Sequence, residues 1–298
     1  MPQRKIYRLH LPTRTLVLGK RTLLMGVLNI TPDSFSDGGN FLTPERAIKQ
    51  AFSLQQSGAD ILDIGAESTR PGSTGIQAVE ELRRLLPVLQ TLRGKLKIPI
   101  SVDTRKSSVA EIAVGAGAEI INDVSGLSHD PRIAEVAARR RVPLILMHMR
   151  GEPRTMQKAP FARNVMKDVT QGLRASIDKA RKAGVAKSQI VLDPGIGFGK
   201  SFQQNYELLQ RLPELGKLGC PLLVGASRKG FLGRTLALAK RGASRETKSV
   251  PPEQRLWATA AAVTASILGG AHIVRVHDVA VMAQVASVAD FLLDPDAK

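Results

Sequence analysis

Cysteine is nearly absent: Cys220 is the only one in 298 residues. One thiol makes neither an internal disulfide framework nor a thiolate zinc site. Aromatic residues are scarce, with 8 Phe, 2 Tyr and 1 Trp. Only Tyr7, Phe161 and Phe231 fall among the basic clusters, so a base-stacking platform is not expected, and no nucleic-acid partner with it. No apolar run approaches the ~18 uncharged residues of a membrane helix. The basic N-terminus holds no apolar core and no cleavage signal, so no secretory peptide is expected. A cytoplasmic chain without a membrane partner is the expectation. Disorder is also excluded, because 43% of the residues are hydrophobic.

Acidic residues are few, 26 against 43 Lys and Arg. The excess sits in three stretches. Residues 1–21 hold six bases and no acid, 132–187 fourteen bases and four acids, and 228–255 eight bases and two acids. This balance suits phosphate-bearing partners. A solvated basic surface is the plainer reading.

Eight short runs rich in Ile, Val and Leu recur at 22–30, 60–65, 98–103, 119–124, 143–148, 189–194, 221–226 and 272–277. Runs of this kind read as parallel strands buried on both faces. Helical patterns lie between them, among them 44–57, 78–92, 107–115, 164–183 and 253–268. Thr43-Pro44-Glu45 offers a helix start, and Gly58 and Gly117 offer helix stops. The alternation predicts a (β/α)8 TIM barrel over 21–298, with 1–20 forming an N-terminal β-hairpin over the barrel bottom, all in a single domain. An open doubly wound sheet is the alternative. The longest loops fall at 31–42, 67–77 and 151–163, and long loops beside strand ends are usually functional.

Polar residues fall at the strand ends. Alternation puts Val27 with Asn29 on one face, Ile61 with Asp63, Ser101 with Asp103, Ile120 with Asn122, Val191 with Asp193, and Arg275 with His277. An inward polar residue at the C-terminal end of a barrel strand points into the catalytic mouth. One Asp there could be a loop cap; three Asp and two Asn converging suit a flat heterocycle with an N–H-rich edge. Arg70, Lys229, Arg275 and His277 add cationic groups suited to a phosphate or diphosphate.

Eight motifs carry a family resemblance. They are Met25-Gly-Val-Leu-Asn-Ile-Thr-Pro-Asp-Ser-Phe-Ser-Asp37, Asp63-Ile-Gly-Ala-Glu-Ser-Thr-Arg-Pro-Gly72, Ser101-Val-Asp-Thr104, Ile121-Asn-Asp-Val124, Met147-His-Met-Arg-Gly151, Asp193-Pro-Gly-Ile-Gly-Phe198, Ser227-Arg-Lys-Gly-Phe-Leu-Gly233 and Arg275-Val-His-Asp278. In this order they resemble the dihydropteroate synthases, transferases of folate biosynthesis built on a pterin-binding TIM barrel. The resemblance implies condensation of a dihydropterin methyl diphosphate with 4-aminobenzoate, through a dissociative, SN1-like displacement.

It also implies residue roles. Asp63, Asp103, Asn122, Met147, Asp193 and Lys229 would form the pterin site. Asn29, Arg70, Arg275 and His277 would meet the diphosphate, with Asn29 as the ligand of Mg²⁺. Thr69, Arg70, Pro71, Phe198, Ser227 and Phe35 would line the 4-aminobenzoate pocket. Asp103, Asp193, Lys229, Arg275 and His277 would carry catalysis. Sulfonamides would compete with 4-aminobenzoate, and the chain would form a homodimer through apolar helical surface at 253–268 and 279–293.

Some positions depart from the pattern. Ala66 stands where the family commonly has Gly, and Gly230 where many members have Ser. The basicity is not a family requirement. Gly195-Ile-Gly-Phe-Gly-Lys-Ser201 is not a nucleotide loop, because Pro194 occupies the place of the first P-loop glycine; it reads as the turn after the sixth barrel strand. Two rival functions are a pterin-dependent methyltransferase on the same barrel and an inactive barrel that binds nucleic acid. The first is not expected to keep Ser227-Arg-Lys229, Arg275-Val-His277 and the 29–37 loop together.

Overall fold

The computed structural model describes residues 4–31, 44–68, 72–152, 155–156, 163–240, 242, 244 and 247–295. Two short strands, β1 (Tyr7–His10) and β2 (Thr15–Leu18), pair antiparallel. The barrel strands follow: β3 (Leu23–Asn29), β4 (Ile61–Gly65), β5 (Ile100–Asp103), β6 (Ile120–Asp123), β7 (Leu144–Met147), β8 (Ile190–Asp193), β9 (Leu223–Val224) and β10 (Ile273–Val276). All neighbours are parallel, in the order β8-β7-β6-β5-β4-β3-β10-β9. A parallel bridge from Leu192 to Leu222 closes the ring, and Leu192 N–H donates to Pro221 O at 2.9 Å. The closed (β/α)8 barrel is therefore present, and the open sheet is not.

The helices are α1 (Pro44–Gln56), α2 (Ala78–Leu92), α3 (Ser107–Gly115), α4 (Ile133–Arg140), α5 (Val165–Lys182), α6 (Phe202–Gln210), α7 (Gly230–Leu238), α8 (Leu256–Leu268) and α9 (Val279–Leu293). Local chemistry explains several boundaries. Asn164 caps α5 by accepting the Lys167 N–H at 3.0 Å, and Lys179, Arg181 and Lys182 occupy its last turn. Ser201 and Gln204 form a reciprocal capping box at α6. Gly58 and Gly117 end α1 and α3 at positive φ. The expected cap at Thr43 lies outside the described residues. Among the described residues, no helix is long and apolar enough to cross a membrane.

Strand parity divides the core in two. Leu24, Leu28, Leu62, Ile64, Val102, Ile121, Leu146, Leu192 and Val274 face the helices. Met25, Ile61, Ile120, Ile145, Val191, Leu223 and Ile273 fill the barrel's lower interior. Leu9, Leu11 and Leu18 of the hairpin pack onto this inner set, so the hairpin stoppers the barrel bottom as expected. Gln189 fixes it further by accepting the His10 N–H and donating to the His10 carbonyl. The chain ends are tied as well: Asp290 on α9 accepts from Thr22 N–H and Oγ1, each at 2.7 Å, and from Arg4 at 2.6 Å.

Candidate active site

Register sets the height of each polar group in the mouth. Asp63 pairs with Ser101, one inward layer below Asp103, which pairs with Asn122. Gly65 lies beside Asp103 in the upper layer. A Cβ there would meet the Asp103 Cβ at 3.4 Å, an ordinary contact distance. Met147 and Asp193 pair at the ends of β7 and β8.

One guanidinium links the layers. Arg275 Nε donates to Asp63 Oδ2 at 2.7 Å, and Nη2 donates to Asp103 Oδ2 at 2.9 Å. Asn122 Nδ2 donates to the same Asp63 oxygen at 3.1 Å. Asp63 is 0% exposed, and its Oδ1 has no partner, nor does the buried Ser101 Oγ. The Arg275 side chain is still 20% exposed, so part of it faces the open mouth. Burial pushes the Asp103 carboxyl up, and the Arg275 charge opposes that rise.

Asp193 is a second buried carboxylate. Burial raises it to about 6, while the Gly195 N–H, 2.7 Å from Oδ1, and the charges of Lys229, Lys200 and Arg275 pull it down. An acceptor of this kind is suited to an amidine-like edge. Lys229 is the N-cap residue of α7, and its Nζ lies 3.9 Å above the Phe198 ring centroid. Next to it, Ser227 Oγ is 3.0 Å from His277 Nδ1 and accepts the His277 backbone N–H at 3.3 Å. Burial lowers His277 to about 3, helped by Arg275, Arg228 and Lys229, so its imidazole is neutral at pH 7.

The structure thus brings Asp63, Asp103, Asn122, Met147, Asp193, Phe198, Ser227, Lys229, Arg275 and His277 to one end of the barrel. Asn29, half-buried, ends β3 at the same level as Gly65 and Asp103. Thr69, Arg70, Pro71 and Phe35 lie outside the described residues. Among the described residues, no group of three or more His, Cys, Asp or Glu could hold a metal ion. A dedicated cage does not fit, but the Asn29 amide oxygen does fit a hard cation that keeps its waters and rides on a substrate phosphate.

Other residues near the mouth were not predicted. Glu67 is buried between Arg105 and Lys106, and Lys106 also pairs with the fully buried Glu81. Arg228, at φ +57, pairs with Asp278. Lys200 is buried against His148. These pairings join distant segments, so no local pattern announces them.

A closed barrel with carboxylates and amides in its mouth, ringed by cations, defines an enzyme that takes a polar heterocycle. The pterin-binding enzyme family matches residues 25–277. The dihydropteroate synthase of Synechocystis sp. is 50% identical over 274 residues, 92% of this chain and 91% of that one. The Xanthomonas albilineans dihydropteroate synthase solved with 4-aminobenzoic acid is 42% identical, with a TM-score of 0.86 over 97% of this chain and 99% of that one. The Yersinia pestis dihydropteroate synthase in a sulfonamide drug complex is 39% identical, with a TM-score of 0.87 over 96% and 98%. The chain belongs to the dihydropteroate synthase family of pterin-binding enzymes.

Proposed function

We propose that residues 1–298 act as one catalytic unit that condenses (7,8-dihydropterin-6-yl)methyl diphosphate with 4-aminobenzoate. The products are 7,8-dihydropteroate and diphosphate. The observation that carries this reading is the convergence of Asp63, Asp103, Asn122 and Asp193 on one mouth, with Arg275 bridging two of the carboxylates.

In this reading the pterin's amino-pyrimidine edge donates to Asp193, and Asn122 offers a matching donor and acceptor. Lys229 donates to the ring's carbonyl or nitrogen, and Met147 lines the slot. As the carbon–oxygen bond to diphosphate breaks, positive charge spreads over the pterin methylene. Asp103 and Asp193, both buried, stabilise that charge. The exposed part of Arg275 and His277 take up the departing diphosphate. With Ser227 donating to Nδ1, the His277 ring proton sits on Nε2 and is available to an oxygen of the leaving group.

Mg²⁺, held by the diphosphate and Asn29, would neutralise charge on the leaving group. The amine nitrogen of 4-aminobenzoate then attacks the methylene and loses its proton. Phe198 and Ser227 line its pocket, to which the family resemblance also assigns Phe35, Thr69, Arg70 and Pro71, and there sulfonamides compete. This fits the relative solved with 4-aminobenzoic acid and the one with a sulfonamide.

The same reading makes the chain a cytoplasmic homodimer. Trp257 is 76% exposed on α8, and Val288, Phe291 and Leu292 are exposed on α9. An apolar surface of this kind suits a self-complementary interface.

Diphosphate release with Mg²⁺ and the pterin substrate, with and without 4-aminobenzoate, tests the function. Release that depends on the arylamine and yields dihydropteroate is expected. Tight pterin binding with no release would favour the methyltransferase instead.

A further inference from the structure

The glycine-rich turn after β8 holds a buried lysine that contacts no proposed substrate group. Lys200 is 3% exposed, and a lysine is that buried only with partners. Its Nζ donates to the His148 carbonyl at 2.8 Å and lies 2.9 Å from His148 Nδ1. With Nδ1 as acceptor, the ring proton of His148 is on Nε2, which is 3.7 Å from Asp168 on α5. The ring rests on Gly172 of α5, where a Cβ would lie 2.5 Å from His148 Cδ2. This close approach accounts for a glycine inside that helix.

On its other side, Lys200 supports the turn. A Cβ on Gly195, at φ +68, would lie 1.9 Å from the His148 carbonyl oxygen and 3.0 Å from Lys200 Nζ. Gly195 is the residue whose N–H reaches Asp193, and the Asp193 carbonyl in turn accepts the His148 N–H at 2.9 Å. Further along, Gly197 packs against the Lys229 stem, where a Cβ would lie 3.1 Å from Cδ. The ammonium thus joins the end of β7 to a turn that touches both Asp193 and Lys229.

We propose that Lys200 is a positioning residue for the pterin site: its ammonium locks the turn after β8 onto His148, and so holds the Gly195 N–H on Asp193 and the Lys229 stem in place. The inference rests on the reading that Asp193 and Lys229 bind pterin. Burial, against the opposing pull of Asp193 and Asp168, lowers Lys200 to about 7, so an apolar residue would serve better if packing were its only task.

The variants Lys200→Met, close in volume, and Lys200→Gln, neutral but able to donate to the carbonyl, test this. Binding of the dihydropterin diphosphate without arylamine is measured by calorimetry from pH 5 to 8. Asp193 is faced by the Gly195 N–H, Lys229, Lys200 and Arg275. Removing one of these cations moves the acid limb of binding to higher pH. Both variants are expected to weaken binding about tenfold or more at pH 7, the scale for a misplaced contact group, with KM for 4-aminobenzoate unchanged.

Wild-type affinity with an unmoved acid limb would overturn the proposal, as would a loss of melting temperature alone. Failure of both variants to fold counts the same way, because it would make Lys200 a folding residue. Asp193→Asn is the control. If it keeps wild-type pterin affinity, the pterin reading itself fails, whatever Lys200 does.

Discussion

Arg275 is held to Asp63 through Nε at 2.7 Å, and the two residues lie 212 positions apart in the chain. The same guanidinium spans one inward layer to reach Asp103. Only a planar fork with several donors serves both carboxylates at once. Arg275→Lys keeps the charge and loses the bridge. We expect kcat/KM for the pterin diphosphate to fall about a hundredfold, corresponding to two contacts of roughly 1.5 kcal/mol each. Arg275→Ala should also destabilise the fold by about 3–5 kcal/mol, because it strands buried carboxylates. Steady-state kinetics and urea unfolding measure the two effects separately.

Asp193 links stability to pH. Burial raises it to about 6 in the folded chain, from 3.8. The folded state therefore holds its proton more tightly than the unfolded state. This contribution to stability is fully present below pH ~4 and is lost as pH rises through ~6. Asp193→Asn should remove the penalty and stabilise the protein by about 3 kcal/mol at pH 7, while pterin binding is lost. Unfolding curves at pH 4 and pH 7 give the comparison; equal effects at both would show that the carboxylate is not titrating there.

Lys229 stands over Phe198 and touches the turn after β8. Lys229→Ala is expected to weaken pterin binding by roughly 1.5–3 kcal/mol, the range for a charged hydrogen bond. Unchanged pterin affinity would take the end of β9 out of the pterin site.

The hairpin predicts a change confined to stability. Leu18 is fully buried beneath the barrel. Leu18→Ala should cost about 2–5 kcal/mol as a cavity mutation and leave pterin affinity at neutral pH as it was. A parallel loss of affinity would mean that the bottom layer communicates with the mouth.

Charging the exposed surface tests self-association. Wild-type protein should sediment as a dimer, and Trp257→Glu with Phe291→Glu as a monomer. A monomeric wild type would discard the homodimer.

Much of this architecture was legible because its signals are local. The runs at 60–65 and 119–124 became β4 and β6, and α2 and α3 have the expected limits, since β-rich runs and glycine stops depend on near neighbours. Period-two alternation was enough to place Asp63, Asp103, Asn122 and Asp193 in the interior. What they touch there was not legible. Arg275 suits a diphosphate equally well by sequence, and only the folded ring brings it to two carboxylates from other strands. Lys200 was lost for a different reason. It stood inside a turn whose glycines announced a bend, and nothing local says that the ammonium folds back under that bend to His148.

Asp290 clasps Thr22, 268 residues upstream, and β3 takes one of its two neighbours from β10, the last strand of the ring in sequence order. During synthesis the first barrel strand therefore leaves the ribosome with one edge open, and waits until Ile273 and its neighbours emerge before that edge is covered. Until then it exposes an apolar rim to whatever else is in solution. The hairpin emerges ahead of every strand that it will plug. A nascent chain stalled before residue 273 is a barrel with a gap, and a companion that shields exposed strands would matter most in that interval.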